Sequence, residues 1–92
     1  MATVEKEIVI KNRTGLHARP AAIFVQKANK YDSDIKIFKD GQEVNGKSIM
    51  GILMLAAEKG ARIKLVIEGH DAEPAMEELS QSLSGDIDNL EA

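Results

Sequence analysis

Cysteine and tryptophan are both missing from this chain. Without cysteine there is no disulfide and no thiolate metal site, as expected of a protein of the reducing cytoplasm. Aromatic residues are scarce, one Tyr and two Phe, and the net charge is −3. An acidic chain with so few stacking side chains makes a poor nucleic-acid binder. No apolar run approaches the length of a membrane span. The first residues, Met1-Ala2-Thr3-Val4-Glu5-Lys6-Glu7, are charged at once, so they read as neither a signal peptide nor a membrane anchor. The two histidines do not sit at a ligand spacing, and neither a P-loop nor a catalytic triad pattern occurs. Neither a metal nor a cofactor is expected.

What remains is a small globular domain of 92 residues with enough apolar side chains for one core. Its charge is unevenly placed. From Asp71 onward there are seven carboxylates and no Lys or Arg, whereas the first seventy residues hold twelve basic and eight acidic side chains, a net +4. That basic part suits a phosphate or an acidic protein surface.

Periodicity orders the chain. Val4 to Lys11 alternates, with Val4, Ile8 and Ile10 on one face and Val9 breaking the polar one. A helix is predicted from Ala18 to about Asn29, its stripe of Ala18, Ala21, Ala22, Val25 and Ala28 implying close approach to a sheet. Ile35 to Phe38 and Glu43 to Asn45 read as two strands joined at Asp40-Gly41, a strong hairpin signal. Ser48 is a good N-cap and Gly60 a good C′ residue for a second helix, Ile49 to Glu58. This helix has two apolar stripes. Ile52, Leu55 and Ala56 form one; Ile49, Met50, Leu53 and Met54 form the other, left over for docking a partner. Arg62 to Glu68 alternates as a fourth strand. Asp71 is placed to cap a third helix with Ala72, Ala75, Met76, Leu79 and Leu83 inward. The order βαββαβα calls for an α+β fold, a mostly antiparallel sheet with helices on one face and water on the other. Residues 1–84 are expected to form the domain, and 85–92 an acidic, frayed tail.

Gly15-Leu16-His17-Ala18-Arg19-Pro20 is the stretch that carries chemistry. Pro20 fits a first helical turn, so the helix opens at Ala18 and His17 falls at its N-cap. Unpaired amides and the positive end of the helix dipole favour an anion there, phosphate above all, and disfavour a charged ring. Arg19 adds a permanent cation for phosphoryl oxygens. Taken alone, His17 reads as a polar loop residue, Arg19 as a solvated charge and Ser48 as an N-cap.

Thr14-Gly15-Leu16-His17-Ala18-Arg19-Pro20-Ala21, Val44-Asn45-Gly46-Lys47-Ser48-Ile49-Met50-Gly51 and Leu55-Ala56-Ala57-Glu58-Lys59-Gly60 together resemble the HPr family. These are the histidine-containing phosphocarriers of the bacterial phosphoenolpyruvate-dependent sugar phosphotransferase system. The resemblance covers the chain up to Leu83. It implies an open-faced β-sandwich whose four-stranded antiparallel sheet runs first, fourth, second, third strand, covered on one face by three helices. It implies that His17 accepts a phosphoryl group on Nδ1 from Enzyme I and passes it to enzyme IIA domains, with Arg19 and the Ala18 and Arg19 amides holding the phosphate. Ser48 falls on a regulatory serine phosphorylated by an HPr kinase/phosphorylase, and a transcriptional regulator that binds this form is a further implied partner. The docking surface expected on this basis takes in Leu16, Pro20, Ala21, Lys47, Ile49, Met50, Leu53 and Met54. Such a carrier is a substrate of its partners rather than an enzyme, and monomeric. Within the family, Crh has no histidine at the active position, so His17 argues against it; the nitrogen-related relative keeps the His-Ala-Arg-Pro core. A pure interaction module with a vestigial His17 and a small phosphometabolite-binding domain are the competing readings.

Overall fold

The computed structural model of the protein describes residues 2–13 and 15–85. Seven elements follow one another: β1 (Thr3–Val9), α1 (Ala18–Ala28), β2 (Asp34–Lys39), β3 (Gln42–Asn45), α2 (Ile49–Leu55), β4 (Arg62–Glu68) and α3 (Ala72–Ser84). The strands form one sheet in the order β1-β4-β2-β3, with every pairing antiparallel. This is the expected α+β open-faced sandwich. Of the tail expected to fray, Gly85 is the C-cap of α3, and residues 86–92 lie outside the described residues. No described helix is long and apolar enough to cross a membrane.

Alternation decides which face of the sheet is buried. Ile8, Ile35, Ile37, Ile63, Leu65 and Ile67 turn inward and join helical side chains in the core. The other face is wet and charged, with Glu7–Arg62 at 3.7 Å, Glu5–Lys64 at 3.9 Å and Lys36–Glu43 at 3.6 Å. Such exposed pairs add little stability. Val9, the apolar residue that broke the polar face, stands partly in water. The hairpin forms where Asp40-Gly41 placed it: both residues have positive φ, 51° and 82°, matching the twist of the paired strands.

Three helical expectations need correction. The buried stripe of α1 is not the alanine row: Pro20, Ile23 and Phe24 are buried with Ala21, Val25 and Ala28, while Ala18 is exposed. Bulky Ile23 and Phe24 fill the layer beneath the helix. Its backbone consequently comes closest to α2 and α3 rather than to any strand, and α3 is the helix that lies against β1 and β4. α2 stops at Leu55 instead of Glu58, with Ala56 in the left-handed region (φ 51°, ψ 41°) doing what was expected of Gly60. Asp71 occupies the N-cap of α3 and its carbonyl accepts the Ala75 amide at 3.1 Å, but its side chain makes no cap bond to the helix.

Its carboxylate instead ties two connections together. Asp71 accepts from the Ser33 hydroxyl, from the Ser33 amide at 3.0 Å and from the Asp32 amide at 2.8 Å. The Ser33 hydroxyl above all, then the Asp32 amide, holds this carboxyl down at about 2. Close by, the Tyr31 hydroxyl donates to Glu78 at 2.5 Å and the Lys30 ammonium at 2.7 Å. The bond to Glu78, then burial, pushes Tyr31 up to about 12, and Lys30 followed by Tyr31 holds Glu78 below its ordinary range. The C-terminal end of α1 is thereby fixed to α3.

Glu78→Gln is expected to cost about 1 kcal/mol of stability at neutral pH, read by urea unfolding. Because folding lowers the Glu78 value below its ordinary 4.5, the contribution is complete above that pH. It fades as pH falls through the folded value, so native and variant stabilities converge in acid.

Candidate functional site

The loop between β1 and α1 is built by hydrogen bonds that the strand parity sets up. Carrying the inward sequence Ile8, Ile10 one step further puts Asn12 inside, and Asn12 is 1% exposed. A buried amide needs partners, and Asn12 Nδ2 donates to the Gly15 carbonyl at 2.7 Å while the Asn12 backbone carbonyl accepts the Gly15 amide at 3.0 Å. Sequence reasoning passed over Asn12; its parity was the available signal.

The same loop is clasped to the exit of α2. The Leu16 amide donates to the Ala57 carbonyl at 2.8 Å, and Gly60 N–H to Ile10 O at 2.7 Å. Gly15 makes the approach feasible. Its φ is +75°, and a Cβ there would meet Ala57 O at 2.5 Å and Glu58 Cα at 2.9 Å. This contact also accounts for the early end of α2. Ala57 has to turn inward to offer its carbonyl, so the helix is released one residue before it.

His17 follows as the N-cap of α1, with extended backbone (φ −99°, ψ −162°), an exposed side chain and no bond from that side chain to its helix. Its carbonyl accepts the first intrahelical bond, from Ala21 at 2.9 Å. The Ala18 and Arg19 amides have no acceptor among the described residues, and Pro20 has no amide to satisfy. Beside the ring lies an open cavity of about 230 Å³, lined by Leu16, His17, Leu53, Ala56, Ala57 and Glu58. Arg19 is exposed at the second helical position, outside that lining, and forms no ion pair among the described residues.

The expected docking surface divides. Ile49, Met50 and Met54 are exposed, 41%, 68% and 67%, and Leu53 is half-buried, linking them to the cavity wall. Leu16, Pro20 and Ala21 are buried instead. They hold the loop and helix to the core, and only Leu16 reaches the cavity. Lys47 is engaged elsewhere, its ammonium donating to the Tyr31 carbonyl at 2.6 Å beside a separate cavity along β3. Ser48 caps α2, its Oγ accepting the Gly51 amide at 3.0 Å.

Residues 4–84 match the family described as PTS HPr component phosphorylation site. The chain belongs to the HPr family. It is 55% identical to the HPr-like protein Crh of Halalkalibacterium halodurans, over 83% of this chain and 90% of that one. To the phosphocarrier protein HPr of Xylella fastidiosa it is 44% identical, over 85% and 88%. The crystal structure of HPr from Bacillus anthracis superposes with a TM-score of 0.86 at 49% identity, covering 90% of this chain and 99% of that one. HPr-family membership and the family sheet order thus agree with what the motifs implied. The likeness to a Crh protein, however, runs against the expectation drawn from His17.

Gly15→Ala is expected to destabilise by more than about 1 kcal/mol, because backbone atoms cannot retreat from the added methyl. Faster exchange of the Leu16 amide, measured by hydrogen exchange, is expected to accompany the loss.

Proposed function

We propose that this chain is a phosphoryl carrier. His17 takes a phosphoryl group on Nδ1 from Enzyme I, charged by phosphoenolpyruvate, and gives it to enzyme IIA domains for sugar uptake. The observation that carries this reading is an exposed imidazole at the opening of α1, beside a cavity and two amides that have no acceptor among the described residues. In the forward step the ring nitrogen attacks phosphorus as the donor's bond breaks; the reverse geometry delivers the group onward. Arg19 and the Ala18 and Arg19 amides offset charge on the phosphoryl oxygens. With no general base needed on the carrier, transfer is a matter of positioning, and the partners supply most of the electrostatics. The carrier is consumed and regenerated rather than turning over a substrate of its own. One chain supplies both the ring and the apolar patch, which supports a monomer, and a cytoplasmic location is part of the same reading, since phosphoenolpyruvate and Enzyme I would be met there.

Ile49, Met50, Leu53 and Met54 form the face that partners cover in this reading. Ser48 is the regulatory position, a target for an HPr kinase/phosphorylase. A phosphate there would stand beside Ile49 and Met50 and place two negative charges at the edge of the apolar patch. Acidic partners are then repelled, and a regulator with a basic pocket is recruited.

The likeness to Crh favours a second reading, a regulatory module that works through the patch and Ser48, with His17 idle. A nitrogen-related carrier would use the same His17 chemistry under different control.

Incubation with phosphoenolpyruvate and Enzyme I separates the two main readings. The carrier yields an acid-labile, base-stable phosphate that His17→Ala abolishes while phosphorylation of Ser48 by the kinase persists; absence of label on the native chain would falsify the relay. Ser48→Asp is expected to slow phosphorylation by Enzyme I about tenfold through like-charge contact at the docking face. An unchanged rate would separate Ser48 from that face.

A further inference from the structure

Asp32, His70 and Asp71 come together at the end of α1 opposite His17, where the connection into β2 meets the turn between β4 and α3. One ligand atom from each lies within 4.8 Å of the other two, and His70 Nε2 stands 3.1 Å from Asp32 Oδ2. Around a tetrahedral zinc ion with bonds of ~2.0–2.1 Å, neighbouring donors are separated by ~3.3 Å. The His70–Asp32 pair already has that spacing. Small rotations of the exposed His70 and Asp32 side chains would bring the pair onto Asp71.

Asp71 is the fixed member. Both of its oxygens are held by the Asp32 and Ser33 amides and the Ser33 hydroxyl. A carboxylate has about four lone-pair sites, so three accepted bonds leave one for a cation. The other two members are open to solvent, with side-chain exposures of 70% for His70 and 83% for Asp32, leaving room for water to complete a coordination sphere.

Charge argues the same way. Two carboxylates lie within 4.8 Å of each other, His70 pairs with Asp32, and no Lys or Arg forms an ion pair with either carboxylate among the described residues. Lys30 is committed to Glu78, and Lys47 to the carbonyl of Tyr31, the residue before Asp32. One imidazole and two carboxylates suit zinc, whereas magnesium and calcium prefer oxygen ligands alone.

We infer that Asp32, His70 and Asp71 form a binding site for zinc or a similar divalent transition-metal ion that fastens the connection before β2 to the turn before α3. The spacing of histidines along the chain hides it, because the ligands meet only through the fold. The site stands apart from His17 and does not rest on the phosphocarrier reading.

The full chain is titrated with zinc chloride by calorimetry and followed by NMR of the ring resonances, which only two histidines can give. Expected are one ion per chain, a shift of the His70 ring with the His17 ring unmoved, and a higher melting temperature in zinc. His70→Ala and Asp32→Asn, both at exposed positions, are each expected to weaken binding about tenfold or more and to remove the thermal shift. A zinc-induced shift confined to His17, undiminished binding by His70→Ala, or no heat on titration overturns the site.

Discussion

The hydrogen bond from Leu16 to Ala57 is the contact on which the site depends. It joins segments from opposite halves of the chain, the loop entering α1 and the residues leaving α2. A side chain on Gly15 would occupy the same space as the Ala57 carbonyl, so closure at this distance requires a residue without one. Once the segments meet, Leu16 is driven into the core and its neighbour His17 is left at the surface, at the N-cap of α1. The left-handed Ala56 is the other side of this bargain, because α2 has to end where Ala57 becomes the acceptor.

Buried neighbours and one exposed ring suit the carrier role proposed for His17. Pro20 and Ala21, next along α1, are buried, so the opening of the helix is pinned to the core while the ring itself remains open. The apolar face of α2 lies across the cavity, joined to it through Leu53. In the proposed function, a partner seated on Ile49, Met50 and Met54 would find the imidazole close by, across the cavity that Leu53 and His17 both line.

Much of this was legible in the chain because it depends on short-range rules. Alternation placed the strands, Asp40-Gly41 placed the hairpin, and Pro20 placed the start of α1. The two stripes of α2 foretell one buried and one exposed face, with exposed Ala56 and half-buried Leu53 the exceptions. What escaped was long-range. Nothing local to Ala57 says that Leu16 will claim its carbonyl, so Gly60 looked like the better helix stop. Local cap chemistry likewise suggested that Asp71 would serve its own helix, whereas its partners lie in a connection almost forty positions earlier. The alanines of α1 promised intimacy with the sheet. Volume decided otherwise, because Phe24 and Ile23 share the buried side. Leu16, Pro20 and Ala21 flank His17, and proximity to it suggests the surface, though flanking residues are what anchors it.

α1 is fastened at its front by the Ala57 contact beneath Leu16 and at its rear by Tyr31 and Lys30 on Glu78. A rod gripped at both ends resists tilting. Under the proposed function, a dianion at the front would alter local potential and leave the far end where it was, and only a molecule that touches the tip would read it.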